Sequence, residues 1–165
     1  MNQRIPKDFF ITKGVGESMH TFHAGSFHLA LMDAGIETQN IMTYSSILPP
    51  EATIIDKPDD LHFGAVMECI MSIYNGRKDE IIGAGIGFGW LYDDDDNKIG
   101  GLVVERNGNY DEETLEEILS NSLWELKNKS FSHYKLRDEQ YITQSFCPME
   151  QYGTALVAMC FVNYV

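Results

Sequence analysis

Apolar residues recur along this chain at two spacings, and the change from one to the other divides it into strands and helices. Alternating or near-continuous apolar runs predict strands over residues 9–12, 40–44, 63–75, 81–92, 99–105, 141–146 and 154–162. Helical spacing occurs twice. Phe27, Ala30, Leu31 and Ala34 share a stripe within residues 22–34, and Gly35 is placed as a C-cap. Leu115, Ile118, Leu119, Leu123 and Leu126 form a second stripe, which opens at Asp111 with acids in its first turn. Residues 13–18 read as a loop with two glycines. Residues 76–79 read as the turn of a hairpin joining 63–75 to 81–92, and residues 93–97 as a further turn. Mostly antiparallel strands with two main helices predict an α+β domain whose helices cover strongly apolar sheets.

Composition narrows the class. The chain has 165 residues, a size that suits one domain with a substantial core, and 44% of them are hydrophobic. Its 25 acidic and 12 basic side chains give a net charge of −13. That balance argues against nucleic-acid or anionic-membrane partners, which need clustered Lys and Arg. No apolar run approaches the ~18 residues of a membrane span, and residues 1–8 lack the apolar stretch of a signal peptide. A cytoplasmic protein is expected. Cys69, Cys147 and Cys160 form no CxxC and read as unbridged thiols.

Several motifs look chemical and have simpler readings. The glycines of GAGIGFGW (Gly83, Gly85, Gly87, Gly89) alternate within a strand, so they bare one sheet face for another layer rather than cradle a phosphate. The aspartates at 93–96 lack the EF-hand spacing and read as a solvated turn. His20, His23 and His28 miss the i, i+4 spacing of helical zinc ligands. Glu105, at the end of an apolar strand, reads locally as an exposed acid paired with Arg106. The pair Ser45-Ser46 before Ile-Leu-Pro-Pro is the most unusual element, and no G-x-S-x-G elbow surrounds it.

These segments together resemble the pyruvoyl-dependent arginine decarboxylase family. The carrying residues are 40–52 (NIMTYSSILPPEA), 62–66 (HFGAV), the glycine-alternating strand, 101–105 (GLVVE) and 153–156 (GTAL). The loop at residues 14–18 and the Gly89-Trp90 step look most like the bacterial branch. The resemblance implies a four-layer αββα sandwich over residues 1–165, with mostly antiparallel sheets, assembled as a homotrimer or a dimer of trimers. It also implies a proenzyme that cuts itself between Ser45 and Ser46 into chains 1–45 and 46–165. The Ser46 hydroxyl would attack the Ser45 carbonyl, and elimination would leave a pyruvoyl group made from Ser46. Asn40 would assist processing. That group serves as the covalent cofactor, without metal or pyridoxal phosphate, and takes up the substrate amine. Glu105 matches the family's proton donor, against its local reading. The implied reaction takes L-arginine, a small-molecule partner, to agmatine and carbon dioxide.

Substrate-facing positions carried over are His28, Leu31 and Ile47. At position 28 the family has an aspartate that faces the guanidinium. A histidine offers no bidentate carboxylate there, so decarboxylation carries over more directly than arginine specificity. Glu17 or a neighbouring subunit's acid is the expected substitute. A different amino-acid substrate and a non-catalytic chain that keeps the fold are the other readings.

Overall fold

The computed structural model describes residues 3–165. Nine strands and two helical segments follow in chain order. They are β1 (Asp8–Ser18), a π-helical turn (Phe22–Phe27) running into α1 (His28–Asp33), β2 (Asn40–Thr43), β3 (Ile47–Leu48), β4 (Thr53–Ile54), β5 (Val66–Arg77), β6 (Ile82–Tyr92), β7 (Lys98–Gly108), α2 (Glu112–Ser130), β8 (Lys135–Phe146) and β9 (Tyr152–Phe161). One sheet has the order β2-β5-β9-β1-β4 and the other β3-β7-β6-β8. The pairs β1–β4 and β2–β5 are parallel and the rest antiparallel.

The two sheets face each other. Phe9, Ile70, Val157, Met159 and Phe161 of the five-stranded sheet pack against Leu48, Ile86, Phe88 and Val103 of the four-stranded one. On the outer side of the first sheet, Ala30, Leu31 and Ala34 of the α1 segment bury Phe10, Cys69, Leu156 and Cys160. On the outer side of the second, Leu123 packs with Leu91, Leu102 and Leu136. This order of helix, sheet, sheet, helix is the four-layer αββα sandwich expected from the sequence.

Both helices come close because the strands beneath them carry glycine. A Cβ on Gly85 would lie 2.8 Å from Leu119 Cδ1, and one on Gly83 2.7 Å from Leu115 Cδ1. The opposite side of β6 presents Ile82, Ala84, Ile86 and Phe88, all buried, to the sheet–sheet core. Leu115, Leu119 and Leu123 are fully buried, each worth about 1.5–3 kcal/mol of transfer free energy.

Four local expectations are corrected. Residues 13–18 are strand rather than loop: Gly14 and Gly16 lie in β1, where a Cβ would strike the backbone of α1 at Ala30 or of the π-helical turn at Ser26. The helix expected over 22–34 is half π-helical, and only its second half is α. Gly35 does end it in the left-handed region, at φ 70°. β5 and β6 are not a hairpin, because each is central in a different sheet and has both edges occupied, β5 by β2 and β9, β6 by β7 and β8. Finally, β8 starts six residues earlier than its apolar alternation suggests, at Lys135.

Candidate active site at the sheet crossing

The serine pair lies where the chain leaves one sheet for the other. β2 ends in the five-stranded sheet, and the Tyr44 amide donates to the Cys69 carbonyl on β5 at 2.8 Å. β3 begins three residues after Tyr44 in the four-stranded sheet, where the Val103 amide donates to the Ser46 carbonyl at 3.1 Å. Residues 44–46 make the passage. There the Ile47 amide donates to the Ser45 carbonyl at 3.1 Å, closing a three-residue γ-turn about Ser46. Pro49 and Pro50 follow, and the Ala52 amide donates to the Pro49 carbonyl at 3.0 Å, so the exit is a stiff turn. The Ser45–Ser46 peptide is therefore bent, outside any ladder, and carries a backbone N–H on its carbonyl oxygen.

Glu105 meets this bend from β7. Side chains on a strand alternate, so Glu105 shares the inward face with Val103, which packs between the sheets. The Ser46 hydroxyl donates to Glu105 Oε2 at 2.7 Å. Burial pushes the Glu105 carboxyl above its ordinary range, and the Ser46 hydroxyl only partly opposes that. Its sequence neighbour Arg106 turns elsewhere, donating to the Tyr110 hydroxyl at 3.4 Å and lying over that ring. The local reading of Glu105 as the partner of Arg106 is thus replaced by one in which it faces a hydroxyl. A half-buried carboxyl of raised pKa keeps its proton to higher pH than an exposed one and can give it up to a strong base.

The other sequence-selected residues sit apart from this pair within one chain. Asn40 starts β2, and its amide donates to the Gly64 carbonyl at 2.8 Å. It is separated from the serines by the length of that strand, roughly 16 Å for five extended residues. His28 begins α1 and is exposed, while Leu31 is buried in the core beneath that helix, on the far side of the five-stranded sheet. Ile47 follows Ser46 directly and is 58% exposed, lining an apolar hollow with Pro49, Leu91, Phe131 and Tyr134. Glu17 accepts from the Met149 amide at 2.6 Å. Asp93 caps its own turn through the amides of Asp95 and Asn97. Among the described residues no three His, Cys, Asp or Glu side chains are grouped to hold a metal ion. Sequence reasoning missed the Ile47 and Val103 amides. Backbone donors leave no residue-type signal, and only the proline-stiffened bend hinted at them.

The fold and the site together define an α+β sandwich with a hydroxyl–carboxyl pair at its sheet crossing. The chain belongs to the pyruvoyl-dependent arginine decarboxylase family, whose pattern matches residues 8–165. A pyruvoyl-dependent arginine decarboxylase of Methanococcoides burtonii is 41% identical over 87 residues, which are 50% of this chain and 47% of that protein. The matched chain thus spans about half the length of that relative. The pyruvoyl-dependent arginine decarboxylase AaxB of Chlamydia caviae is 29% identical over 181 positions, covering 98% of this chain and 93% of its own. A solved pyruvoyl-dependent histidine decarboxylase, at pH 8, aligns at 14% identity and TM-score 0.45 over 62% of this chain and 53% of that one. The resemblance drawn from the sequence is borne out at the level of the family.

Proposed function

We propose that this chain is a self-processing pyruvoyl-dependent decarboxylase acting on L-arginine. The observation that carries the proposal is the bend at Ser46, where one serine hydroxyl is held by Glu105 and the preceding carbonyl by the Ile47 amide.

The first reaction is on the chain's own backbone. Ser46 Oγ, oriented by its hydrogen bond to Glu105, attacks the Ser45 carbonyl carbon, and its proton passes to the departing Ser46 nitrogen. The negative charge that forms on the Ser45 oxygen is met by the Ile47 N–H. Collapse breaks the peptide C–N bond and leaves an ester, with the Ser46 amine free. Loss of the Ser46 Cα proton then expels the Ser45 carboxylate from Cβ and separates chains 1–45 and 46–165. Water replaces nitrogen at the resulting dehydroalanine, ammonia leaves, and a ketone remains at residue 46.

The residues present fit such a group. Position 46 is anchored to β7 by Val103 and abuts a protonatable, half-buried carboxyl. The pyruvoyl ketone supplies the covalent attachment for a substrate amine and the electron sink for loss of carbon dioxide. Glu105 holds the proton that the substrate's α-carbon needs afterwards. Asn40, His28 and Leu31 lie away from Ser46 in the single chain, which favours a site shared between copies in a homotrimer or a pair of trimers. Exposed Met42 and Val66 at the β2 side of the sheet, and exposed Ile47 beside the site, would be covered in such an assembly. Arginine is taken from the names of the relatives. His28 stands where a guanidinium-facing acid is expected, so that acid comes from elsewhere in the assembly. We assign the protein to the cytoplasm, as its unpaired cysteine spacing leads us to expect. No described helix is long and apolar enough to cross a membrane.

Intact-mass measurement of the purified protein tests the reading. Two species are expected, 1–45 and a 46–165 chain whose first residue has become a ketone. A folded, unbroken 165-residue chain that never matures would refute it. A substrate panel of arginine, ornithine, lysine and neutral amino acids tests the specificity, with equal turnover of neutral substrates the adverse result.

A further inference from the structure

A second carboxylate lies at the crossing, and the chemistry above makes no use of it. Glu68 stands on β5, opposite Met42 of β2 and Phe161 of β9, and is 7% exposed. It shares the inward face of β5 with Ile70, so it sits at the rim of the sheet–sheet core. Arg4 donates to its Oε1 at 2.6 Å, and the same guanidinium lies 3.7 Å from the centre of the Tyr164 ring. The Tyr44 and Tyr164 hydroxyls flank the carboxylate, and the Tyr44 ring packs 5.5 Å from that of Phe161. Its Oε2 is buried and has no hydrogen-bond partner. Burial pushes the carboxyl up, but Tyr164, Tyr44 and Arg4 outweigh burial and leave it below its usual range.

A buried charge with one orphaned oxygen is a poor device for stability, since an apolar side chain of similar size would serve the core better. Its place suggests another use. Ser46 is held from the four-stranded sheet, through Val103 and Glu105. The carbonyl it must reach belongs to Ser45, and that side of the bond is tethered to the five-stranded sheet through Tyr44. Attack needs the two anchors to keep a fixed separation, and small misplacements of reacting atoms cost large factors in rate.

We propose that Glu68, held by Arg4, is a positioning residue for self-cleavage, acting through the Phe161 and Tyr44 rings packed beside it to fix the carbonyl side of the Ser45–Ser46 bond. This rests on the self-cleavage proposed above. The cluster joins both ends of residues 1–45, at Arg4 and Tyr44, to Glu68 and Tyr164 of residues 46–165. It is closed behind Arg4 by the paired amides and carbonyls of Ile5 and Val165.

The test is a cell-free pulse of full-length chain followed by a chase, with the 165-residue and 46–165 species quantified over time. E68Q and Y44F are each expected to slow cleavage roughly tenfold, and the double variant no further than the slower single one, because both act through one cluster. E68D, which restores the charge, is expected to recover part of the rate, a recovery that loss of packing alone would not give. Arg4 is largely exposed, so R4Q keeps the fold, and it too should slow cleavage. Cleavage of E68Q and Y44F within about twofold of the wild type would overturn the proposal, as would a double variant slowed by the product of the single effects. If E68Q does not fold, R4Q and Y44F cleaving at the wild-type rate overturn it. A wild-type chain that stays uncut refutes the self-processing itself, which separates the two failures.

Discussion

Replacing Glu105 by glutamine separates the two tasks assigned to that side chain. Glutamine has nearly the same shape and keeps an acceptor oxygen, so the Ser46 hydroxyl retains the partner that it now has at 2.7 Å. It cannot carry an exchangeable acidic proton. Self-cleavage of E105Q is therefore expected to proceed, while turnover of the matured enzyme collapses. A positioned general acid contributes about 10²–10⁴ in rate, equivalent to about 3–5 kcal/mol of barrier. The protonated form is present below the carboxyl's folded pKa, which burial raises from the ordinary 4.5. Proton delivery in the wild type should thus decline as pH rises through that raised value, and this limb should vanish in E105Q. The same sign governs stability. The folded state binds the proton more tightly than the unfolded chain, so Glu105 favours folding at low pH, and that contribution is lost as pH rises through the folded pKa. The assay pairs intact mass, which scores cleavage, with release of labelled carbon dioxide across pH. Matured E105Q turning over within about twofold of the wild type, or keeping the same alkaline limb, would refute the role of the carboxyl.

Further outcomes follow from the same geometry. Ser46→Ala removes the attacking hydroxyl, and mass spectrometry should find one uncut chain whose circular dichroism matches the wild type. Gly16→Ala would place a methyl on the Ser26 carbonyl and the Ala30 amide, both backbone, forcing α1 off its strand. About 1–3 kcal/mol should be lost, read from the denaturant midpoint. Leu123→Ala leaves a cavity under α2 where the side chain is now fully buried, at a cost of about 2–5 kcal/mol in the same assay.

Much of the sandwich was legible because its central strands are apolar on both faces, and such strands announce themselves without alternation. What they do not announce is which sheet they join. β5 and β6 are neighbours in sequence with a short turn between them, yet pairing between them would need a free edge that neither has. The first half of β8 was hidden for a different reason. Lys135, Arg137, Asp138 and Glu139 occupy an edge strand, Leu136 is its one deeply buried side chain, and Asp138 sits at a positive φ of 54°. The glycine face of β6 was read correctly because the lack of side chains on one face of an interior strand has few uses other than close approach. At the site, the serine pair stood out by its proline setting. Glu105 did not, since its partner hydroxyl is 59 residues away and the sequence offered an arginine next door. Glu68 gave no signal at all, because a single acid within an apolar strand has no pattern to belong to.

The position of the bend between the sheets has a consequence for how the molecule can be taken apart. A break after residue 45 leaves β1 and β2 on the shorter chain. β1 is inserted between β9 and β4, both of which belong to the longer one. A protein so cut would be a two-chain complex with an interleaved sheet. Its denaturation then yields two separate polypeptides, whose reassembly depends on concentration and begins without the loop that first brought the strands together. A precursor would fold as one chain, but a cleaved form would have lost that route, so its persistence would rest on how slowly it opens.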